Sequence, residues 1–316
     1  MLFFDADQVH GACDYPELIA ALKRYHLDDI DIVGDQMLSQ PATEGGDNIL
    51  FLRSAWQRGQ ALGTKVITGF WNNPSHRDLP AVHAIYCLFS GEDGHPLAVL
   101  DGTALTLRKT AADSALGASY LARNDVETML MIGAGAMAPH LIMAHKAIRP
   151  SLKHVAVWNR SPDKPKSMIN DLEGQNAMAG LTFEVVTDLK TAAGRADLIS
   201  SATRTVEPII EGAWLKPGTH LDLIGAYKKD MREADDVAIQ QASIFVDSRT
   251  STIDDVGEIA IPIERGVISE ADILADHQQL ARGEHPGRRS DNEITLFKNG
   301  GGGHLDLMTA RFVAER

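Results

Sequence analysis

Six residues, Gly133-Ala134-Gly135-Ala136-Met137-Ala138, carry the spacing G-x-G-x-x-A. Chemistry suited to that spacing is the grip of a backbone on a pyrophosphate. Gly133 permits a tight turn, Gly135 has no Cβ to keep a phosphate away, and Ala138 is small enough for a helix to pack closely on a strand. Amides opening the next helix, at Ala136 and Met137, offer unpaired N–H groups and a partial positive charge. A second group stands some twenty residues on, as Asn159-Arg160-Ser161 with Lys164 and Lys166. NAD sites usually present Asp or Glu there to the ribose 2′-hydroxyl. A guanidinium and a hydroxyl suit a 2′-phosphate instead, so NADPH is the expected cofactor, with NADH possible. The competing reading is a solvated loop with surface cations.

A lone G-x-G-x-x-A is a weak signal, because many strand-to-helix turns use small residues. Its setting decides. Met129–Ile132 is an apolar run that reads as a strand buried on both faces; Met137, Leu141, Ala144 and Ile148 then recur at helical spacing. His154–Trp158 follows as a second strand. The stretch Glu127–Arg160 is therefore a βαβ unit of the length a dinucleotide site needs.

Composition narrows the field. The chain has 316 residues, enough for two domains, with ordinary hydrophobic (44%) and charged (23%) content. A net charge of −13 argues against nucleic acid as a partner. Cys13 and Cys87 are the two cysteines, which excludes a disulfide framework and a clustered thiolate zinc site. His76, His83, His95, His140 and His220 show no metal-ligand spacing, so no metal is expected. No G-x-S-x-G elbow points to a nucleophilic serine. Charge comes too early at the N-terminus for a signal peptide, and no apolar run reaches membrane length. A cytoplasmic protein without membrane contact is the expectation.

Read in order, Leu2–Phe4 is a short strand and Leu18, Ile19 and Leu22 mark an amphipathic helix. The section 27–48 is acidic and poor in periodicity. Strands are expected at Ile49–Arg53, Thr64–Phe70, Ala81–Ser90 and Pro96–Leu100, giving a mostly antiparallel sheet. A helix over Thr110–Leu121 leads into the dinucleotide unit. Helices near Lys164–Leu172 and Leu189–Arg195 then alternate with strands at Leu181–Val186, Leu198–Ala202, Thr219–Ile224 and Ile244–Val246, a parallel sheet of about six strands. Past Ile261 the pattern turns helical; Ile294–Lys298 returns to strand character before Gly300–Gly303 and a last helix, about Leu305–Ala314. The expected fold class is α/β: a doubly wound Rossmann domain over 119–292, and an α+β domain over 1–118 to which 293–316 returns.

Several further segments match one family together. They are Leu62–Thr68, Leu100–Thr106, Lys109–Ala115, Ile132–Ala138, Val157–Arg160, Ala196–Thr203, Pro217–Ala226, Met231-Arg232-Glu233 and Thr295–Lys298. In these the chain resembles the ornithine cyclodeaminase/mu-crystallin family, above all its branch of Δ1-pyrroline-2-carboxylate and Δ1-piperideine-2-carboxylate reductases, from roughly Phe51 to the C-terminus. The resemblance implies a homodimer, a substrate-binding and dimerisation domain, and a nicotinamide cofactor on the Rossmann domain. It adds Ala202, Thr203, Gly225, Lys298 and Gly301 to the cofactor side. Lys65 and Lys109 match positions that bind the substrate carboxylate, and His304 and Asp306, after the glycine run, are further substrate-side candidates. The alternative for these two is a solvated helix start.

Three departures stand out. Most members have Arg where this chain has Lys109, and lysine supplies charge without the planar fork. The family's Pro-x-Arg becomes Pro41-Ala42-Thr43, so Thr43 offers only a hydroxyl; Arg53, in a segment where relatives often carry Met-Pro-Ala, is a substitute cation or a surface arginine. True ornithine cyclodeaminases place an aspartate shortly after the strand ending near Gly225, where Tyr227 stands here, followed by Lys228 and Lys229. The expected activity is therefore NAD(P)H-dependent reduction of a small cyclic imino acid to L-proline or L-pipecolate. An alanine dehydrogenase-like enzyme, an ornithine cyclodeaminase and a non-catalytic NADPH-binding crystallin are the alternatives.

Overall fold

A computed structural model describes residues 1–42 and 46–316; Thr43 lies outside the described residues. The chain forms two compact units, Met1–Lys109 with Gly302–Arg316, and Thr110–Gly301. These divisions fall at 109/110 and 301/302, where the sequence suggested 118/119 and 292/293.

The first unit is built on six strands: β1 (Leu2–Phe4), β2 (Asp31–Gln40), β3 (Asn48–Gln57), β4 (Ala61–Gly69), β5 (Val82–Ser90) and β6 (Pro96–Asp101). Their order is β1-β6-β5-β4-β3-β2. Neighbours are antiparallel except β1 and β6, which run parallel. The C-terminal helix Gly303–Ala314 packs on one face of this sheet and against the helix Tyr15–Tyr25. Leu18 and Leu22 from one helix and Leu305, Leu307 and Met308 from the other are fully buried.

Two elements differ from expectation. Strand β2 was not anticipated, because its register with β3 shifts between Val33 and Gln36, and the interruption at Gly34-Asp35 breaks the alternation. The entry helix starts earlier, at Gly102, and runs to Leu121. Asp101 opens it by accepting the Ala104 amide at 2.7 Å, so Asp101-Gly102 begins a helix rather than a turn.

The second unit has β7 (Thr128–Ile132), β8 (His154–Trp158), β9 (Thr182–Val185), β10 (Leu198–Ser201), β11 (His220–Leu223), β12 (Ser243–Val246), β13 (Ile273–Asp276) and β14 (Thr295–Lys298). All are parallel, in the order β13-β12-β14-β11-β10-β7-β8-β9. The sheet thus has eight strands rather than about six: β14 inserts between β11 and β12, and the four-residue β13 forms the edge. Between Ile261 and Ile294 only short helical pieces accompany that strand, against the helical expectation. Met129–Ile132 is buried throughout, as a central parallel strand requires. Strand order reverses between β7 and β10, and in doubly wound sheets ligands bind in the crevice at such a switch point, beyond the carboxyl ends of the strands.

Candidate functional site: a glycine loop and a buried charge cluster

At the switch point the chain leaves β7 through the glycine loop. Gly133 has φ +104°, a conformation that favours glycine, and a Cβ there would meet the Ala202 carbonyl at 2.9 Å. Its amide donates to the Trp158 carbonyl at 2.8 Å. The Ala134 amide donates to Asn159 Oδ1 at 3.3 Å, so Asn159 ties the loop to the end of β8. Beside Gly135 a Cβ would meet nothing within 4 Å. The exposed Gly135 and Ala136 therefore border open space, as a phosphate cradle needs. Helix Met137–Ile148 follows, and no side chain caps its N-terminus at Ala136; the Ala138 amide donates to the Gly135 carbonyl at 3.0 Å and Pro139 has no N–H, so the Ala136 and Met137 amides are the ones placed to meet an anion. Ala138 is fully buried, in keeping with close helix–strand packing. Arg160, Ser161 and Lys164 are exposed beyond β8. The residues present fit a dinucleotide.

Other cofactor-side candidates lie deeper. Lys298 is fully buried at the end of β14, and its ammonium donates to the Leu223 carbonyl at 2.9 Å. Burial lowers its pKa, while Glu233 and Glu258 oppose that fall. Its charge favours the ionised form of both carboxylates. The Gly301 amide donates to Asp247 at 2.6 Å. Ala202, Thr203 and Gly225 follow β10 and β11, and Thr203 and Gly225 both donate to Glu233.

The first unit holds a separate constellation. Register sets Arg53, Lys65, Tyr86 and Leu100 side by side across β3, β4, β5 and β6. The first turns of the C-terminal helix bring Asp306 to this row. Lys65 Nζ donates to Asp306 Oδ1 at 2.9 Å, lies 2.7 Å from Oδ2, and reaches Thr106 Oγ1 at 3.3 Å. Lys109 Nζ is 3.9 Å from Asp306 Oδ1. Exposures of 3%, 2% and 0% for Lys65, Lys109 and Asp306 make this a dry cluster. Desolvation lowers the Lys65 pKa to about 8, although Asp306 opposes the fall. Burial alone would raise Asp306, but Lys109 and Lys65 outweigh it and hold the carboxyl below its ordinary value.

Remaining candidates are placed as follows. Arg53 pairs with Asp35 at 2.7 Å, a partner that the interruption in β2 presents. His304 is buried in the first turn of the C-terminal helix, its ring edge-on to His26 with centroids 5.8 Å apart. Asp306 is buried as well, so the solvated helix start does not describe either residue.

The ornithine cyclodeaminase/mu-crystallin family model matches residues 32–316. The chain belongs to that family. The match begins nearly twenty residues before Phe51, where the sequence resemblance was expected to fade. Among family relatives, a Δ1-pyrroline-2-carboxylate reductase of Paracoccus denitrificans is 41% identical over 312 residues, covering 99% of this chain and 96% of the relative. A solved Thermococcus litoralis Δ1-pyrroline-2-carboxylate reductase, in complex with NADH and L-proline, superposes with a TM-score of 0.90 at 27% identity, covering 100% and 97% of the two chains. An archaeal alanine dehydrogenase dimer with bound NAD gives 0.87 at 27% identity, with coverage of 100% and 95%.

Within this family member, sequence reasoning did not single out Asp35, Tyr86, Thr106 or Glu258, and it named Thr203 and Gly225 without their bonds to Glu233. Tyr86 is the least predictable. Its hydroxyl lies where a Cβ at Gly63 would stand, 2.5 Å from that position, and it is buried without a hydrogen-bond partner. Burial, then the Asp306 charge, raises its pKa. Only the pairing of β4 with β5 shows that Gly63 makes room for it. Glu233 did carry a signal, since Met231-Arg232-Glu233 was one of the matching segments.

Proposed function

We propose that this chain is a nicotinamide-dependent reductase of small cyclic imino acids, converting Δ1-pyrroline-2-carboxylate to L-proline or Δ1-piperideine-2-carboxylate to L-pipecolate. The observation that carries the reading is the charge balance at Lys65, Lys109 and Asp306. Two ammonium groups share one carboxylate, which leaves one positive charge unmatched in a dry place. A monocarboxylate ligand completes the balance. Arg53 and Asp35 already neutralise each other.

When bound, a reduced nicotinamide supplies the hydride that converts the C=N carbon to an amine-bearing carbon, with one proton taken up at nitrogen. Gly133, Gly135 and the amides of Ala136 and Met137 would hold the pyrophosphate. Lys65 and Lys109 bind the substrate carboxylate and orient the ring, and Asp306 fixes Lys65 in place. Lys65 also has a proton to give. Burial has loosened its hold to about pH 8, which suits a proton donor working near neutral pH. Positioning and a dry electrostatic environment do the remaining work.

The named relatives support the substrate class, and NADH and NAD in the solved neighbours support the cofactor class. Our reading favours NADPH over NADH, on Arg160 and Ser161. Tyr227 where cyclodeaminases carry an aspartate argues against ornithine.

We also propose a cytoplasmic homodimer. No helix among the described residues is long and apolar enough to cross a membrane. The sheet face turned away from the C-terminal helix carries Leu52, Val66 and Ile85 in one registered row and Trp56, Leu62 and Phe89 in another. Trp56 and Ile85 are nearly half exposed, and an apolar surface of this kind fits a second copy of the chain. The archaeal alanine dehydrogenase dimer supports the same reading.

One assay tests the activity: oxidation of NADPH and NADH followed at 340 nm with each imine, with pyruvate plus ammonia, and, for the reverse class, NAD-linked ammonia release from L-ornithine. Turnover should be fastest with an imine. Faster turnover of pyruvate plus ammonia would reassign the chain to open-chain amino-acid dehydrogenation.

A further inference from the structure

One carboxylate of the second unit, that of Glu233, gathers four hydrogen-bond donors in a fully buried place. Its Oε1 accepts the Ser201 hydroxyl at 2.5 Å, the Thr203 amide at 2.8 Å and the Thr203 hydroxyl at 2.8 Å; its Oε2 accepts the Gly225 amide at 2.5 Å. These donors lie at the end of β10 and just past the end of β11, adjacent strands in the sheet.

The two loops approach as closely as glycine allows. A Cβ at Gly225 would stand 1.8 Å from the Thr203 carbonyl oxygen and 2.6 Å from Glu233 Oε1. The first of these loops also touches the glycine loop, where the Ala202 carbonyl occupies the space a Gly133 side chain would need. Glu233 therefore ties one wall of the switch-point crevice together. The segment that carries it is itself held, because the Glu233 and Ala234 amides donate to the Glu258 carboxylate at 2.7 and 3.0 Å. Lys298 supplies the opposing charge: it is the leading influence that stabilises the ionised form of both Glu233 and Glu258 against burial.

Strand order says which half of a dinucleotide this wall meets. Arg160 and Ser161 lie beyond β8, the glycine loop beyond β7, and the Glu233-tied loops beyond β10 and β11. A dinucleotide with its adenosine end at β8 and its pyrophosphate at β7 extends its other half towards β10 and β11. We propose that Glu233 is a positioning residue for the nicotinamide half of the cofactor, acting through the Ala202-Thr203 and Gly225 backbones. This rests on the reading of the chain as a dinucleotide-binding reductase. A carboxylate suits the task because four donors converge on two oxygens. Glutamine keeps the shape but offers one oxygen and turns an N–H₂ towards donors.

The test is Glu233→Gln, with binding of NADPH or NADH followed by fluorescence and binding of 2′,5′-ADP and 5′-AMP followed by calorimetry. These fragments lack the nicotinamide half. The dinucleotide should weaken by roughly tenfold or more, the range of a lost charge-assisted hydrogen bond, while fragment affinity stays within about twofold of wild type. Equal weakening of dinucleotide and fragment would show a role in the fold alone and overturn the proposal. Unchanged dinucleotide affinity would overturn it as well. Should Glu233→Gln fail to fold, Thr203→Val decides by the same comparison, because it keeps the carboxylate and the side-chain shape and deletes one donor. A selective loss for the dinucleotide is again expected, and a loss common to both ligands would refute it. Absence of any dinucleotide binding by the wild-type chain would overturn the functional reading together with this one, whereas the preceding outcomes bear on Glu233 alone.

Discussion

Replacing Asp306 by Asn is the sharpest test of the charge cluster. The carboxylate is fully buried and lies 2.7 Å from an ammonium that is itself 3% exposed, with a second ammonium 3.9 Å away. Asn keeps the shape and removes the only anion in this constellation. Breaking a buried pair in this way costs about 3–5 kcal/mol, because a charge is left without compensation. Lys65 can escape by shedding its proton: from its lowered value of about 8 this costs only about 1.4 kcal/mol at pH 7, one unit's worth. The expected loss therefore lies between about 1.4 and 5 kcal/mol. Urea unfolding followed by circular dichroism and tryptophan fluorescence measures the loss. The double variant Lys65→Met with Asp306→Leu removes both charges and should recover most of it, as apolar replacements of buried pairs do. A loss below about 1 kcal/mol in Asp306→Asn, or a double variant no better than the single one, would refute the view that this pair is dry and charged.

Four further outcomes follow from other residues. Arg160→Ala should weaken NADPH by about 1.5–3 kcal/mol, the value of a charged hydrogen bond, and NADH far less; paired fluorescence titrations check this, and equal losses would show that Arg160 does not read the 2′-phosphate. Tyr86→Phe removes a buried hydroxyl with no partner and should stabilise the chain by about 1 kcal/mol in urea unfolding. Because the Lys65 pKa is lowered to about 8, its cationic form prevails below that pH, so KM for the imine should climb as pH rises through 8 and on to 9.5 while cofactor affinity holds. Glu258 has its pKa raised from 4.5 to about 7, by burial first and by Glu233 in addition. A folded-state value above the unfolded one means that its stabilising contribution is complete below about pH 4.5 and is lost as pH rises through about 7; the stability of Glu258→Gln should change less than that of wild type across this window.

What the sequence made legible is what short stretches encode. Thr128–Ile132, the glycine loop and helix Met137–Ile148 follow from an apolar run, two glycines and a 3.6-residue period, all within some twenty residues, and His154–Trp158 and Leu189–Arg195 coincide with the observed elements. Strand β2 was hidden for a local reason too: its register shift removed the period-2 signal. The entry helix was shortened because Asp101-Gly102 has turn composition, whereas Gly102 is needed for another purpose. A Cβ there would come within 2.7 Å of Ala84, a contact that exists only after β5 has folded beside it.

The charge cluster lies beyond the reach of that kind of reading. Lys65 and Asp306 are 241 positions apart, so neither residue's neighbours in sequence distinguish a buried ion pair from a surface lysine and a solvated helix start. Arg53 makes the point more sharply. Its type and position allow either a substrate contact or a surface charge, and the choice is made by Asp35, which an irregular strand brings within 2.7 Å. Once that pair is neutral, the unmatched positive charge at Lys65, Lys109 and Asp306 no longer competes with a third cation for a single carboxylate. The departure from the family's Pro-x-Arg then has a physical consequence: the task of binding the substrate carboxylate falls on two lysines. Their reach and charge, rather than a planar guanidinium fork, would set how tightly a ring carboxylate is held.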